Sequence, residues 1–197
     1  MKGSRDMADR PPLSGWSPGL DGDVALRDAY AGMPGDPALA IPWYVRALEN
    51  PASPLALPGA IDLFGHDCIH IVLGRGMLPQ DEAFVIGVTM GASGTLTRWQ
   101  EVLYQWCSRL VYRGPYHLTG FDCRVFALAA DFGRRSGIRP LHQVAWADWQ
   151  DRSVAEVRAH VGLTVDALLG AFDRERALRP DTPAARRLPH GGAVQRR

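Results

Sequence analysis

A chain of 197 residues has the size of one domain, large enough to bury a core and enclose a pocket. Its content of 46% hydrophobic and 22% charged residues is that of a globular protein, which excludes a disordered or fibrous chain. A net charge of +1 gives no reason to expect a nucleic-acid partner or strong attraction to anionic lipid.

Residues 1 to about 22 are rich in Pro, Gly, Ser and Asp and predict a flexible tail. Met1 to Asp6 leads into Pro11-Pro12 without an apolar run, so no signal peptide is expected. Helices are predicted over 23–33, 37–49, 59–73, 80–91, 96–112, 119–136, 154–162 and 164–178. Thr119, with Asp122 three residues on, and Thr164 are the predicted N-caps. Residues 179–197 mix Pro180, Pro183 and Pro189 with Arg, Ala and Gly and predict a second flexible tail. No segment alternates at period two and no repeat is visible. The expected fold is therefore all-α: one multi-helix bundle over 23–178 between flexible termini.

Two further features bear on where the protein works. The longest uncharged stretch, Ala83 to Thr97, has 15 residues and contains Gly87, Gly91 and Gly94, too short and too glycine-rich for a membrane span. Cys68, Cys107 and Cys123 are odd in number and form no C-x-x-C pair, which suggests buried thiols in a reducing compartment. The expected location is cytoplasmic.

The most specific chemistry lies in the third predicted helix. It reads His66-Asp67-Cys68-Ile69-His70, and after eleven residues comes Glu82. His66 and His70 stand four apart and Asp67 and His70 three apart, so all three project from neighbouring positions on one helix surface. Apolar residues otherwise surround this helix, with Ile61, Phe64, Cys68, Ile71 and Val72 opposite the histidines, which marks it as buried. A polar stripe in such a helix must be satisfied. A divalent metal held by His66, Asp67, His70 and Glu82 would do so, with zinc first and iron as the alternative. Hydrogen bonds from each imidazole to a carbonyl, with Asp67 paired to an Arg, are the other solution. Gly74-Arg75-Gly76-Met77-Leu78-Pro79 ends one helix and opens the next, placing Glu82 in a first turn where the helix dipole keeps it ionised.

These residues resemble the metal motif of the Coq-four family of ubiquinone-biosynthesis proteins: His-Asp-x-x-His, eleven residues, then Glu. The similarity runs from about Ile41-Pro42-Trp43 to Gly162, takes in the Leu73-Gly74 step, and closes over Arg152 to Leu163. Gly91-Ala92-Ser93-Gly94 departs from the longer helix expected there and bears on the shape of the substrate pocket. The resemblance implies an all-helical homodimer that binds a polyprenylated aromatic lipid and works with other quinone-biosynthesis proteins. It also implies replacement of the ring carboxyl of a polyprenylated hydroxybenzoate by a hydroxyl. Such a substrate requires peripheral contact with a membrane. His66, Asp67, His70 and Glu82 carry over as metal ligands, with Asp67 and Glu82 also the catalytic candidates for moving protons.

Competing classes fare unequally. A His-Asp phosphohydrolase needs a His upstream of the His-Asp pair, and His66 is the first histidine of the chain. A zinc protease needs Glu where Asp67 stands. A non-catalytic lipid-binding scaffold with a structural metal stays open. Trp99, Gln100, Glu101, Tyr104 and Gln105 form either a recognition face or, as aromatics at helical spacing usually do, part of the core. Arg75 is expected to be an exposed loop residue, with a substrate carboxylate or Asp67 as the alternative partner. Arg134-Arg135 and Arg196-Arg197 read as solvated charge, His117, His142 and His160 have no partner at ligand spacing, and His190 lies in the flexible tail.

Overall fold

The computed structural model describes residues 15–34, 50–113 and 117–191. Among them the chain forms eight α-helices: α1 (Leu26–Ala31), α2 (Leu63–Leu73), α3 (Pro79–Gly91), α4 (Arg98–Leu110), α5 (Gly120–Arg135), α6 (Val154–Val161), α7 (Val165–Leu178) and α8 (Pro183–Arg187). Two 3₁₀ turns, Leu141–Gln143 and Trp146–Trp149, join α5 to α6. No strand occurs among the described residues, so the fold is all-α in one unit. The helix predicted over 37–49, the Ile41-Pro42-Trp43 start of the resemblance and Arg196-Arg197 lie outside the described residues.

α3 is the centre of the molecule. Every residue from Ala83 to Gly91 is buried, as a helix apolar on all sides requires. Its tightest neighbour is α5, and the glycines of both helices set how close they come. A Cβ at Gly87 would lie 2.6 Å from the Phe126 carbonyl, and one at Gly91 would lie 2.2 Å from that of Ala130. From the other side, a Cβ at Gly133 would meet the Val88 carbonyl at 2.4 Å. Two glycines of the 83–97 stretch, Gly87 and Gly91, thus permit a close helix crossing at the core, whereas Gly94 meets nothing and takes a φ of 75°. Among the described residues no helix is long and apolar enough to cross a membrane.

Helix boundaries follow local chemistry. Thr119 and Asp122 cap α5 reciprocally, Thr119 N–H donating to Asp122 Oδ2 at 2.8 Å and Asp122 N–H to Thr119 Oγ1 at 3.2 Å. Thr164 Oγ1 accepts from Ala167 N–H at 3.2 Å at the start of α7. α2 begins at Leu63 instead of 59, because Asp62 takes the N-cap position and accepts from Gly65 N–H at 2.8 Å. α1 begins only at Leu26, because residues 22–26 are extended alongside residues 150–155: Val154 N–H donates to Val24 O at 2.9 Å and Leu26 N–H to Arg152 O at 2.8 Å.

Three expectations need correction. Residues 15–22 and 179–191, read as parts of flexible tails, reach the packed body. Trp16, Ala184, Ala185 and Leu188 are buried, and Arg187 donates to the Trp16 carbonyl at 2.9 Å. Composition missed this because few apolar anchors suffice when Arg side chains supply the remaining contacts. Within α4, Tyr104 is a core residue stacked on Phe126 at 4.7 Å between ring centroids, whereas Trp99 is 63% exposed. Arg75, expected on the surface, is fully buried.

All three cysteines are free and buried. Burial, reinforced by the charges of Asp67 and Asp62, pushes the Cys68 thiol up to about 12, and burial also raises Cys107 and Cys123. Native protein at neutral pH should therefore show no fast-reacting thiol toward a disulfide reagent, and three after denaturation. A rapidly labelled cysteine in the folded protein would contradict this burial.

Candidate metal centre

Two helix ends and the turn between them build the site. α2 stops at Gly74, whose φ of 68° places it in the left-handed region glycine favours. Gly74 N–H bonds Ile71 O at 3.0 Å and Arg75 N–H bonds His70 O at 2.9 Å, so the last turn of α2 is closed with its carbonyls satisfied. The chain then reverses, Leu78 N–H donates to Asp81 Oδ2 at 3.0 Å, and Pro79 starts α3. This brings the first turn of α3 against the histidine face of α2.

Glu82 is delivered to both imidazoles. His66 Nε2 lies 2.9 Å from Glu82 Oε1, His70 Nε2 lies 3.0 Å from Glu82 Oε2, and the two Nε2 atoms are 3.1 Å apart. His70 is wholly buried, while the His66 and Glu82 side chains retain 21% and 23% exposure, so the cluster is closed on one side and open on the other. His70 Nδ1 is 2.8 Å from the Gly76 carbonyl. A carbonyl can only accept, so Nδ1 carries a proton and Nε2 is turned toward the cluster, as outer hydrogen bonds orient metal-binding histidines. Gly76 does this where no other residue fits: a Cβ there would lie 2.4 Å from the Trp16 carbonyl.

The donor set fits a divalent metal. Ligand–ligand edges around an ion with bonds of about 2.0–2.1 Å measure roughly 3.3 Å in a tetrahedron and 2.9 Å in an octahedron. The two Nε2 atoms are 3.1 Å apart and each lies 2.9 or 3.0 Å from a different Glu82 oxygen, so an ion between them would meet the carboxylate through one or both oxygens. Two histidines and one carboxylate on one face leave the opposite coordination positions free. His66, His70 and Glu82 are the group among the described residues whose donor atoms lie close enough together, all within 4.8 Å, to share an ion.

Asp67, the fourth residue of the motif, stands outside that group. It is half-buried and makes no side-chain hydrogen bond among the described residues. Burial raises its carboxyl above the ordinary value; His66 and His70 oppose the shift and the Glu82 charge adds to it. Glu82 behaves oppositely. Burial alone would raise it, but His66 and His70 outweigh burial and hold it well below the usual carboxylate range. Two carboxyl groups beside one another are thus pushed apart, one toward the proton and one away from it.

A buried ionic network behind the turn has no counterpart in the expectations from sequence. Arg75 reaches Glu175 of α7 in a forked pair at 2.8 and 2.9 Å, and its Nε lies 3.1 Å from Asp81 Oδ1. Gln80 Nε2 donates to Glu175 Oε1 at 2.5 Å, and Arg187 to Asp81 Oδ2 at 2.6 Å. The guanidinium also sits 4.4 Å from the centre of the Phe84 ring. One signal pointed to it: Leu168, Ala171, Phe172 and Glu175 share one face of α7, so a carboxylate falls on a core stripe.

The other histidines take no part. His160 stacks on Trp149 with ring centroids 4.0 Å apart, burial lowers His142, and His117 is exposed. A cleft of about 220 Å³ lies elsewhere, between Trp16, Val24, Ala29 and Val154, and none of the three donors lines it. No family model, curated protein or solved structure matches the chain.

Proposed function

We propose that the protein is a metal-dependent component of ubiquinone or related quinone biosynthesis, acting on a polyprenylated hydroxybenzoate whose ring carboxyl is replaced by a hydroxyl. The observation that carries the proposal is the meeting of two imidazoles and a carboxylate within 3.1 Å, sealed behind His70 and open beside His66 and Glu82. These three would hold one divalent metal, which when bound supplies a Lewis acid for a carboxylate or phenolate oxygen. Asp67, whose carboxyl burial raises above its ordinary value, is the proposed proton carrier beside them.

The exchange of carboxyl for hydroxyl releases carbon dioxide and withdraws two electrons from the substrate. An oxidant, dioxygen by class, must accept them, and zinc has no redox chemistry to mediate this. Two histidines and one carboxylate with open positions are the donor set of oxygen-using iron(II) enzymes, which favours iron over zinc for the catalytic reading. In the second reading the protein is a non-catalytic polyprenyl-lipid-binding scaffold with a structural zinc. The same geometry favours it, because the donors also clamp α2 to α3. In both readings the protein works as a homodimer with other quinone-biosynthesis proteins, at the cytoplasmic face of a membrane.

Deleting the gene in its host tests the role: quinone should fall and its ring-carboxylated precursor accumulate, and unchanged pools would reject it. Glu82→Gln then separates the two readings. An enzyme loses turnover with its fold intact, whereas a scaffold supports quinone synthesis for as long as it retains lipid.

A further inference from the structure

α4 turns an apolar stripe outward. Trp99, Val102, Trp106 and Leu110 recur at helical spacing on one face and are 63%, 66%, 55% and 62% exposed. The helix does not need this stripe for folding, because its other face already buries Tyr104, Cys107 and Ser108. Single exposed apolar residues are ordinary, but four large ones in a row mark an interaction surface. Arg98 and Arg109, both exposed, border the stripe on the Val102 side. The only acidic residue of α4, Glu101, is ion-paired with Arg134 of α5. The face therefore presents an apolar centre, a cationic edge and no uncompensated carboxylate.

We propose that α4 is a membrane-docking helix that lies flat at an anionic bilayer surface. Trp99, Val102, Trp106 and Leu110 enter the boundary between headgroups and acyl chains, and Arg98 and Arg109 meet lipid phosphates. The residue types fit that environment: tryptophan favours the interface, aliphatic side chains the acyl boundary, and arginine the phosphates above it. A second copy of the chain fits less well. Four such side chains offer roughly 400 Å², about half of the 800 Å² or so per partner that a stable interface buries. A bilayer requires neither that area nor a complementary shape. The surface deepens the membrane part of the proposed function and is independent of the metal, so lipid binding and metal binding can fail separately.

Flotation of the full-length protein with vesicles of phosphatidylcholine alone, or mixed with phosphatidylglycerol, tests the proposal. The wild type should float with the mixed vesicles and bind them less as salt is raised. Trp99→Ser combined with Trp106→Ser should lower the bound fraction about tenfold or more. Arg98→Gln with Arg109→Gln should abolish the preference for the anionic vesicles. The substituted side chains are exposed, so circular dichroism should show unchanged helix, and Val102→Asp gives a second variant should the tryptophan pair misfold. The proposal is overturned if the wild type floats with neither vesicle or equally with both, or if the variants float like the wild type. It is also overturned if the wild type is a dimer that Val102→Asp dissociates while no lipid is bound.

Discussion

Replacing His70 by alanine should abolish stoichiometric metal binding, measured by elemental analysis of protein purified without chelators. His70 is the buried member of the cluster, touches both other donors and is itself oriented by Gly76. Its loss leaves only His66 and Glu82, both partly exposed, to hold the ion. His66→Ala should do the same, and Glu82→Gln should weaken affinity about tenfold or more, because a neutral amide is a poor ligand. Asp67→Asn discriminates between a set of three ligands and a set of four. With Asp67 outside the donor group, this variant should keep its metal, and a metal-free Asp67→Asn protein would restore Asp67 as a ligand. Unchanged metal content in both histidine variants would sink the site.

The pH dependence follows from the same contacts. Metal displaces protons from its ligands on binding, so affinity should fall as pH drops. Glu82 does not add to the fall near neutrality, because its carboxyl is held well below the usual range. In the metal-free protein the sign concerns stability. A folded-state pKa below the unfolded value of about 4.3 contributes stability that is present above that value and lost as pH falls through the folded one. Acid titration of the Glu82→Gln variant should lack this last loss, which a comparison of melting temperatures between about pH 5 and pH 3 would reveal.

Most of the helices could be read from the sequence because each carries its own start signal. Thr119 and Thr164 are caps whose side chains accept from the backbone three residues on, and that pattern is local. The three-residue donor group was legible for the same reason: four-residue spacing on α2 puts two imidazoles together in any helix, and the glycine-bounded turn limits where Glu82 can go. Nothing local told Asp67 from its neighbours. Whether it ligates depends on which side of His70 the first turn of α3 crosses, and the contacts behind that turn include the pair of Arg75 with Glu175, a hundred residues apart. The outward stripe of α4 was hidden by its residue types. Trp99 and Tyr104 read alike as core aromatics, and only the packing of α5 against one face decides which is buried.

That long-range network gives the second large effect. Arg75→Met should destabilise the protein by about 3–5 kcal/mol, the cost of leaving a buried ion unpaired, against a total stability on the order of 5–15 kcal/mol for a domain. Glu175 would keep only Gln80 as a donor, whereas Asp81 would retain Arg187 and Leu78 N–H. Glu175 is therefore the group that suffers, and Arg75→Met combined with Glu175→Leu should be more stable than Arg75→Met alone. Denaturant unfolding of the two single variants and the double variant measures this coupling. The metal should respond as well. Arg75 joins α7 to the first turn of α3, and it stands between Gly74, which ends α2, and Gly76, whose carbonyl orients His70. Loosening that tie should weaken metal affinity by about 10–100-fold in variants that still fold, as loss of an outer partner does elsewhere. If Arg75→Met instead unfolds at the wild-type midpoint and binds metal unchanged, the turn is held by the backbone alone and the network has no part in positioning the site.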